Sequence, residues 1–156
     1  LAAAAAGAQV THVDASKGMV TWAKENALSS GLKDAPIRWL VDDCVKFVER
    51  EIRRGNTYDA IIMDPPSYGR GPKGEIWKIE DMIHPLIRLC AKILSKDALF
   101  FLVNSYTTGL APAVLTYMIS TELKSWNGHV DSQEIGLPVT NSGLVLPCGA
   151  TGRWTP

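Results

Sequence analysis

The sequence predicts an α/β protein built on a doubly wound, Rossmann-like sheet that finishes in an antiparallel hairpin. Three observations point there. Short apolar runs alternate four times with segments of helical period, three of those runs end on carboxylates, and the last part of the chain carries two strand-like runs joined by Thr140-Asn141-Ser142-Gly143. Alternation of this kind favours a parallel sheet, because each parallel connection needs a crossover long enough to hold a helix.

The elements follow in order. Ala2–Ala6 before Gly7 suits the end of a helix with a glycine cap. Gln9–Val13 forms a strand that stops at Asp14. Ser16 is the N-cap of a helix through Met19, Val20, Ala23 and Ala27, which closes at Gly31. Ile37–Val41 forms a second strand, ending on Asp42-Asp43, and Val45, Val48 and Ile52 mark the next helix up to Arg53, Arg54 and Gly55. Tyr58–Met63 is a short apolar run of the buried parallel type and stops at Asp64-Pro65-Pro66. A glycine-rich loop, Ser67–Glu75, precedes the longest amphipathic helix, Ile79 to Leu94, in which Pro85 predicts a kink or a broken start. Ala98–Val103 is a further buried strand, and Pro112 opens a helix through Leu123. Val130–Val139 and Leu144–Cys148 complete the hairpin.

Composition narrows the class of function. A length of 156 residues fits one domain, 1–156. With 16 Lys+Arg against 16 Asp+Glu, bulk charge does not advertise a nucleic-acid module, although a local basic face is compatible with it. The 46% hydrophobic and 21% charged fractions exclude a disordered chain. No apolar run approaches the roughly 20 residues of a membrane span. The apolar start lacks the charged n-region of a secretory signal. Three scattered cysteines argue against a disulfide framework and fit a reducing, cytoplasmic setting.

In open α/β sheets the ligand lies beyond the carboxyl ends of the strands. Asp14 is placed there either to accept hydrogen bonds from ribose hydroxyls or to form the turn before Ser16. Asp42-Asp43 is placed to accept from an adenine amino group or to cap the following helix, and one of the pair can do each. Asp64-Pro65-Pro66-Ser67-Tyr68 is the sharpest signal. Its two prolines stiffen the exit from a buried strand. The carboxylate and ring on that turn suit a planar base, and the plainer reading is an ordinary strand-exit turn.

These stretches resemble the class I S-adenosylmethionine (SAM)-dependent methyltransferases, specifically the large-subunit ribosomal RNA (cytosine-C5)-methyltransferase group. Val13-Asp14-Ala15-Ser16-Lys17 with Trp22-Ala23, Asn26 and Gly31-Leu32 is similar to that group's second motif. Asp43 with Phe47-Val48 is similar to the third, and Asp64–Tyr68 with the loop Gly69–Glu75 and Trp77 to the fourth. The tail Leu146-Pro147-Cys148-Gly149-Ala150 and Gly152-Arg153-Trp154 is similar too. The resemblance implies SAM as cofactor, held by Asp14, Ala15, Ser16, Asp43, Cys44 and Asp64. It implies a catalytic turn of Asp64, Pro65, Pro66 and Tyr68, substrate contacts from Ser67, Tyr68, Arg70 and Lys73, no metal, and an RNA acceptor, ribosomal RNA in particular. Methyl transfer to a good nucleophile depends mainly on positioning.

Two features depart from the group. Its glycine-rich first motif and first strand have no counterpart before the alanine helix. The chain is therefore expected to be an N-terminally truncated catalytic domain, inactive alone, with a gap of about 9–10 Å in its sheet. Cytosine-C5 chemistry uses a Cys nucleophile after the fifth strand, where this chain has Asn104-Ser105-Tyr106, and a serine hydroxyl is a poor substitute for a thiolate. Cys44 and Cys90 are expected to pack on apolar helix faces, and Cys148 to be structural.

Other signals are weaker. Arg70, Lys73 and Lys78 with Trp77 suit RNA. His12, His84 and His129 show no metal spacing. Arg38, Lys46, Arg50, Arg53 and Arg54 form a solvated face, and Arg153-Trp154 either covers the sheet or faces substrate. Two rival functions are a dinucleotide-dependent oxidoreductase, which shares the acidic residue after the second strand, and a non-catalytic RNA-binding or assembly module, which zero net charge disfavours.

Overall fold

A computed structural model describes residues 1–71 and 74–156, in two compact units, Leu1–Arg53 and Arg54–Pro156. The first unit contains α1 (Ala2–Ala5), β1 (Val10–Asp14), α2 (Lys17–Ser29), β2 (Ile37–Val41) and α3 (Cys44–Arg54), which ends at the boundary. Strands β1 and β2 pair in parallel from Val10↔Ile37 to Asp14↔Val41, and neither pairs with another described strand. Both strands therefore stop at the same level, and Asp14 and Asp42 leave the sheet side by side. Helix α2 ends at Gly31, whose φ of +72° only glycine adopts readily. The Gly31 and Leu32 amides donate back to Leu28 and Ala27, which satisfies the last carbonyls of the helix. Val20 and Ala27 of α2 and Phe47 and Val48 of α3 are the buried apolar residues of these helices, while Met19, expected on the same face, is exposed.

The second unit holds β3 (Ala60–Met63), β4 (Tyr68–Arg70), β5 (Ile76–Lys78), α4 (Ile79–Ala91), β6 (Phe100–Ser105), α5 (Pro112–Glu122), β7 (His129–Pro138) and β8 (Val145–Thr155). Its main sheet has the order β3-β6-β8-β7, with β3 and β6 parallel and the remaining pairs antiparallel. The expected hairpin is present, but its second strand runs to Thr155 instead of stopping at Cys148. That extension settles Arg153-Trp154: Trp154 is buried in the sheet, and Arg153 pairs with Asp131 on the neighbouring strand.

The core of this unit follows from the period of two. Phe101, Val103 and Ser105 of β6 are buried, and their register partners on β8 are Trp154, Gly152 and Ala150, which are buried as well. Gly152 is required there. A Cβ at this position would sit 2.8 Å from both Leu115 Cβ and Ile119 Cδ1, so α5 lies directly on β8. Helix α4 runs unbroken through Pro85, whose place in the second turn removes a single backbone donor. It buries Ile79, Ile83, Leu86, Ile87 and Cys90. Helices α4 and α5 are tied through Glu122, which accepts from Arg88 Nε at 3.1 Å and lies 2.7 Å from His84 Nε2.

Within the stretch read as a loop, Ser67–Glu75, residues Tyr68–Arg70 form β4, which pairs antiparallel with β5, Tyr68↔Lys78 and Arg70↔Ile76. Beyond the bulge between Ile135 and Gly136, the β7–β8 hairpin exposes Leu137, Val139, Leu144, Val145 and Leu146. No helix among the described residues is long and apolar enough to cross a membrane.

Candidate functional site

In the first unit, the carboxyl ends of β1 and β2 carry the acidic residues. Asp14 Oδ1 accepts the Ser16 backbone N–H at 2.6 Å, and Ser16 Oγ accepts the Met19 N–H at 3.3 Å as N-cap of α2. The turn role of Asp14 thus occupies one oxygen, and Oδ2 has no partner among the described residues. The ladder continues one step past β2, where the Asp42 amide donates to the Asp14 carbonyl at 3.0 Å.

Of the two readings of Asp42-Asp43, the structure shows the helix cap, and Asp43 supplies it. Asp43 Oδ1 accepts the Lys46 N–H at 3.0 Å and caps α3, which again leaves Oδ2 open on an exposed residue. Asp42 accepts the Asp43 amide at 2.9 Å through Oδ1 and forms an ion pair with Arg50 through Oδ2. Arg50 is therefore a positioning residue of this edge and not part of a solvated face. Arg38 stands on β2 instead of on the helix.

Cys44 corrects an expectation. It is exposed at the start of α3, not packed on an apolar face, and its Sγ donates to the Val13 carbonyl at 3.8 Å. Desolvation of the thiol pushes its pKa up, and the charges of Asp14, Asp43 and Asp42 add to the rise. A thiol held protonated serves as a donor or as packing, not as a nucleophile. Cys90 is buried as expected, and Cys148 on β8 donates from Sγ to the Leu146 carbonyl at 3.4 Å.

In the second unit, β3 delivers Asp64 to the end of the sheet, where desolvation raises its pKa above the ordinary carboxylate value. The turn after it is held at three points. Trp77 Nε1 donates to the Pro66 carbonyl at 2.6 Å, the Ile79 amide donates to the Ser67 carbonyl at 3.1 Å, and Ser67 Oγ lies 2.6 Å from Thr107 Oγ1. The indole N–H of Trp77 is thereby engaged in shaping the turn. Tyr68 is half-exposed and accepts at its hydroxyl from Arg70 Nε at 2.9 Å. The structure thus brings Ser67, Tyr68 and Arg70 of the expected substrate set together in the turn and the strand that follows it. Lys73 lies outside the described residues. Thr107, which anchors that turn from the neighbouring strand exit, carried no sequence signal, because the contact spans forty positions.

Ser105 is almost wholly buried and its Oγ accepts the Thr107 amide at 3.2 Å, so this hydroxyl is structural. Among the described residues, no group of three or more His, Cys, Asp or Glu is placed to hold a metal ion. His84 is occupied by Glu122, and His12 lies against Trp39 with ring centroids 5.2 Å apart.

No protein-family model matches the chain. The crystal structure of the SAM-dependent methyltransferase from Agrobacterium tumefaciens superimposes with a TM-score of 0.91 at 41% identity, over 99% of this chain and 51% of that one. The fold is that of the SAM-dependent methyltransferases. A methyltransferase solved as a complex with SAH shares it at 21% identity, with a TM-score of 0.71 over 93% of this chain and 38% of that one. Among curated proteins, the ribosomal RNA large subunit methyltransferase K/L of Pseudoalteromonas atlantica is 36% identical over 86 residues, which are 54% of this chain and 12% of that protein. The chain thus spans about half of the structure it matches at 41% identity and a small part of this curated relative.

Proposed function

We propose that this chain is part of a SAM-dependent methyltransferase whose acceptor is RNA, ribosomal RNA in particular. The observation that carries this reading is the half-satisfied state of Asp14 and Asp43. Each commits Oδ1 to local structure, which fixes its side chain, and leaves Oδ2 open at a strand's carboxyl end. A pre-positioned acceptor of this kind suits the ribose hydroxyls and adenine amine of SAM, so these residues fit the cofactor. Ala15, Ser16 and Cys44 line the same edge, and the protonated Cys44 adds no competing anion. The relatives named for SAM and for ribosomal RNA support the cofactor and the acceptor class.

When bound, SAM supplies an electrophilic methyl group on a sulfonium. On this reading Asp64, Pro65, Pro66 and Tyr68 receive the acceptor, with Ser67, Arg70 and Lys73 contributing to substrate binding. The turn offers hydrogen-bond acceptors and a ring and contains no thiol. It therefore favours an exocyclic base nitrogen over carbon 5 of cytosine. Asp64 would accept from the N–H of the acceptor amine and take up its proton, directly or through water, as the amine received the methyl group that SAM supplies. At the place where the cytosine-C5 group carries its nucleophile this chain has Ser105, which is buried and bonded, so that position lends the cytosine-C5 assignment no support.

Calorimetric titration of SAM and NAD into the full-length protein of which this chain is part, followed by transfer of labelled methyl to large-subunit ribosomal RNA, tests the proposal. SAM binding and label in RNA are expected. NAD binding without SAM binding would overturn it in favour of an oxidoreductase, and RNA binding without either cofactor would leave an assembly module.

A further inference from the structure

Strands β3 and β6 are parallel neighbours with Met63 opposite Val103, so the chain leaves the sheet at two adjacent points. One exit is Asp64–Tyr68, and the other is Tyr106-Thr107 after Ser105, the last residue of β6. The 2.6 Å contact of Ser67 Oγ with Thr107 Oγ1 joins them, and each partner of that contact is the sequence neighbour of a tyrosine, Tyr68 on one side and Tyr106 on the other. The two rings are 51% and 53% exposed.

The backbone that carries Tyr106 is held in place. Ser105 is buried and bonded to the Thr107 amide, and Gly149 of β8 lies so close that a Cβ there would come within 2.9 Å of Tyr106 Cα. The Tyr106 hydroxyl, by contrast, has no partner among the described residues, whereas the Tyr68 hydroxyl is bound by Arg70. A ring on a rigid backbone, half in water and without a hydrogen bond of its own, is suited to a flat partner.

We propose that Tyr106 is a second stacking surface for an unpaired RNA base, paired with Tyr68 across the Ser67–Thr107 bridge. The proposal rests on the methyltransferase reading for the identity of its ligand. The chemistry selected is a nucleobase in a single strand, because a duplex keeps its base faces covered, while a splayed base offers a face to each ring.

The test uses a single-stranded RNA carrying 2-aminopurine, titrated with the protein in the absence of SAM. Stacking on tyrosine is expected to quench the probe. Tyr106→Ala is expected to weaken binding by about 10- to 100-fold and to remove much of the quenching, while Tyr106→Phe retains both. Circular dichroism checks that the alanine variant is folded, and if it is not, Thr107→Val, which breaks the bridge, is expected to weaken quenching in its place. Unchanged binding and quenching in folded Tyr106→Ala, or no quenching by the wild type, overturns the proposal. Transfer of labelled methyl is measured separately, on the full-length protein. Quenching that depends on Tyr106 without methyl transfer refutes only the enzyme assignment, and methyl transfer that is indifferent to Tyr106 refutes only the stacking surface.

Discussion

Asp43 Oδ1 accepts the backbone N–H of Lys46 at 3.0 Å, so the carboxylate assigned to adenine is also the N-cap of α3. The two roles use different oxygens and separate on substitution. Asp43→Asn keeps a capping oxygen and is expected to leave stability within a few tenths of a kcal/mol, whereas Asp43→Ala costs about 1 kcal/mol. Both remove the charge and are expected to weaken SAM binding, the alanine by about tenfold or more. Denaturant melts set beside calorimetric titration resolve the two effects.

Asp14→Ala removes the acceptor for the Ser16 amide together with the proposed ribose acceptor. A loss of roughly 1 kcal/mol of stability and about 10- to 100-fold in SAM affinity is expected. A titration showing unchanged affinity would dismiss Asp14 as a cofactor ligand and leave it a turn residue.

Asp64 opposes stability and function. Desolvation raises its pKa above 3.8, so ionisation is disfavoured in the folded state and folding carries a penalty above that pH, which is relieved as pH falls through the raised value. Asp64→Asn is expected to melt at the same temperature as the wild type or higher at pH 7. Methyl transfer is expected to fall by about 10- to 100-fold, read from initial rates.

Glu122 acts in the opposite direction. Burial alone would raise its pKa, but hydrogen bonds from Arg88 and His84 and the charges behind them hold it below 4.5. Its contribution is therefore fully present above about pH 4.5 and is lost as pH falls through the lowered folded value. Urea unfolding of the wild type and Glu122→Gln should differ at pH 7, and the difference should shrink towards pH 3.

Gly152→Ala would drive a methyl group into Leu115 and Ile119, at a cost of about 1–3 kcal/mol. Gly69→Ala meets only ordinary contacts, with Trp77 Cβ at 3.7 Å, and is expected to fold like the wild type. Chemical denaturation of the pair checks the distinction.

The sequence by itself determined the order of the helices and of the longer strands, since apolar period, glycine stops and proline placements are local properties, but β4 and β5 were not legible in it. It also placed the carboxylates, because Asp14, Asp42-Asp43 and Asp64 each stand at the end of an apolar run. Tertiary structure decided the rest. The extension of β8 to Thr155 is set by pairing with β6 and β7, and the burial of Trp154 follows from that register. The exposure of Cys44, the pairing of Asp42 with Arg50 and the anchoring of Ser67 by Thr107 depend on which elements lie side by side. Local pattern states what a residue can do. Which oxygen of Asp14 or Asp43 remains open for a ligand depends on the backbone donors that the folded chain brings to the other.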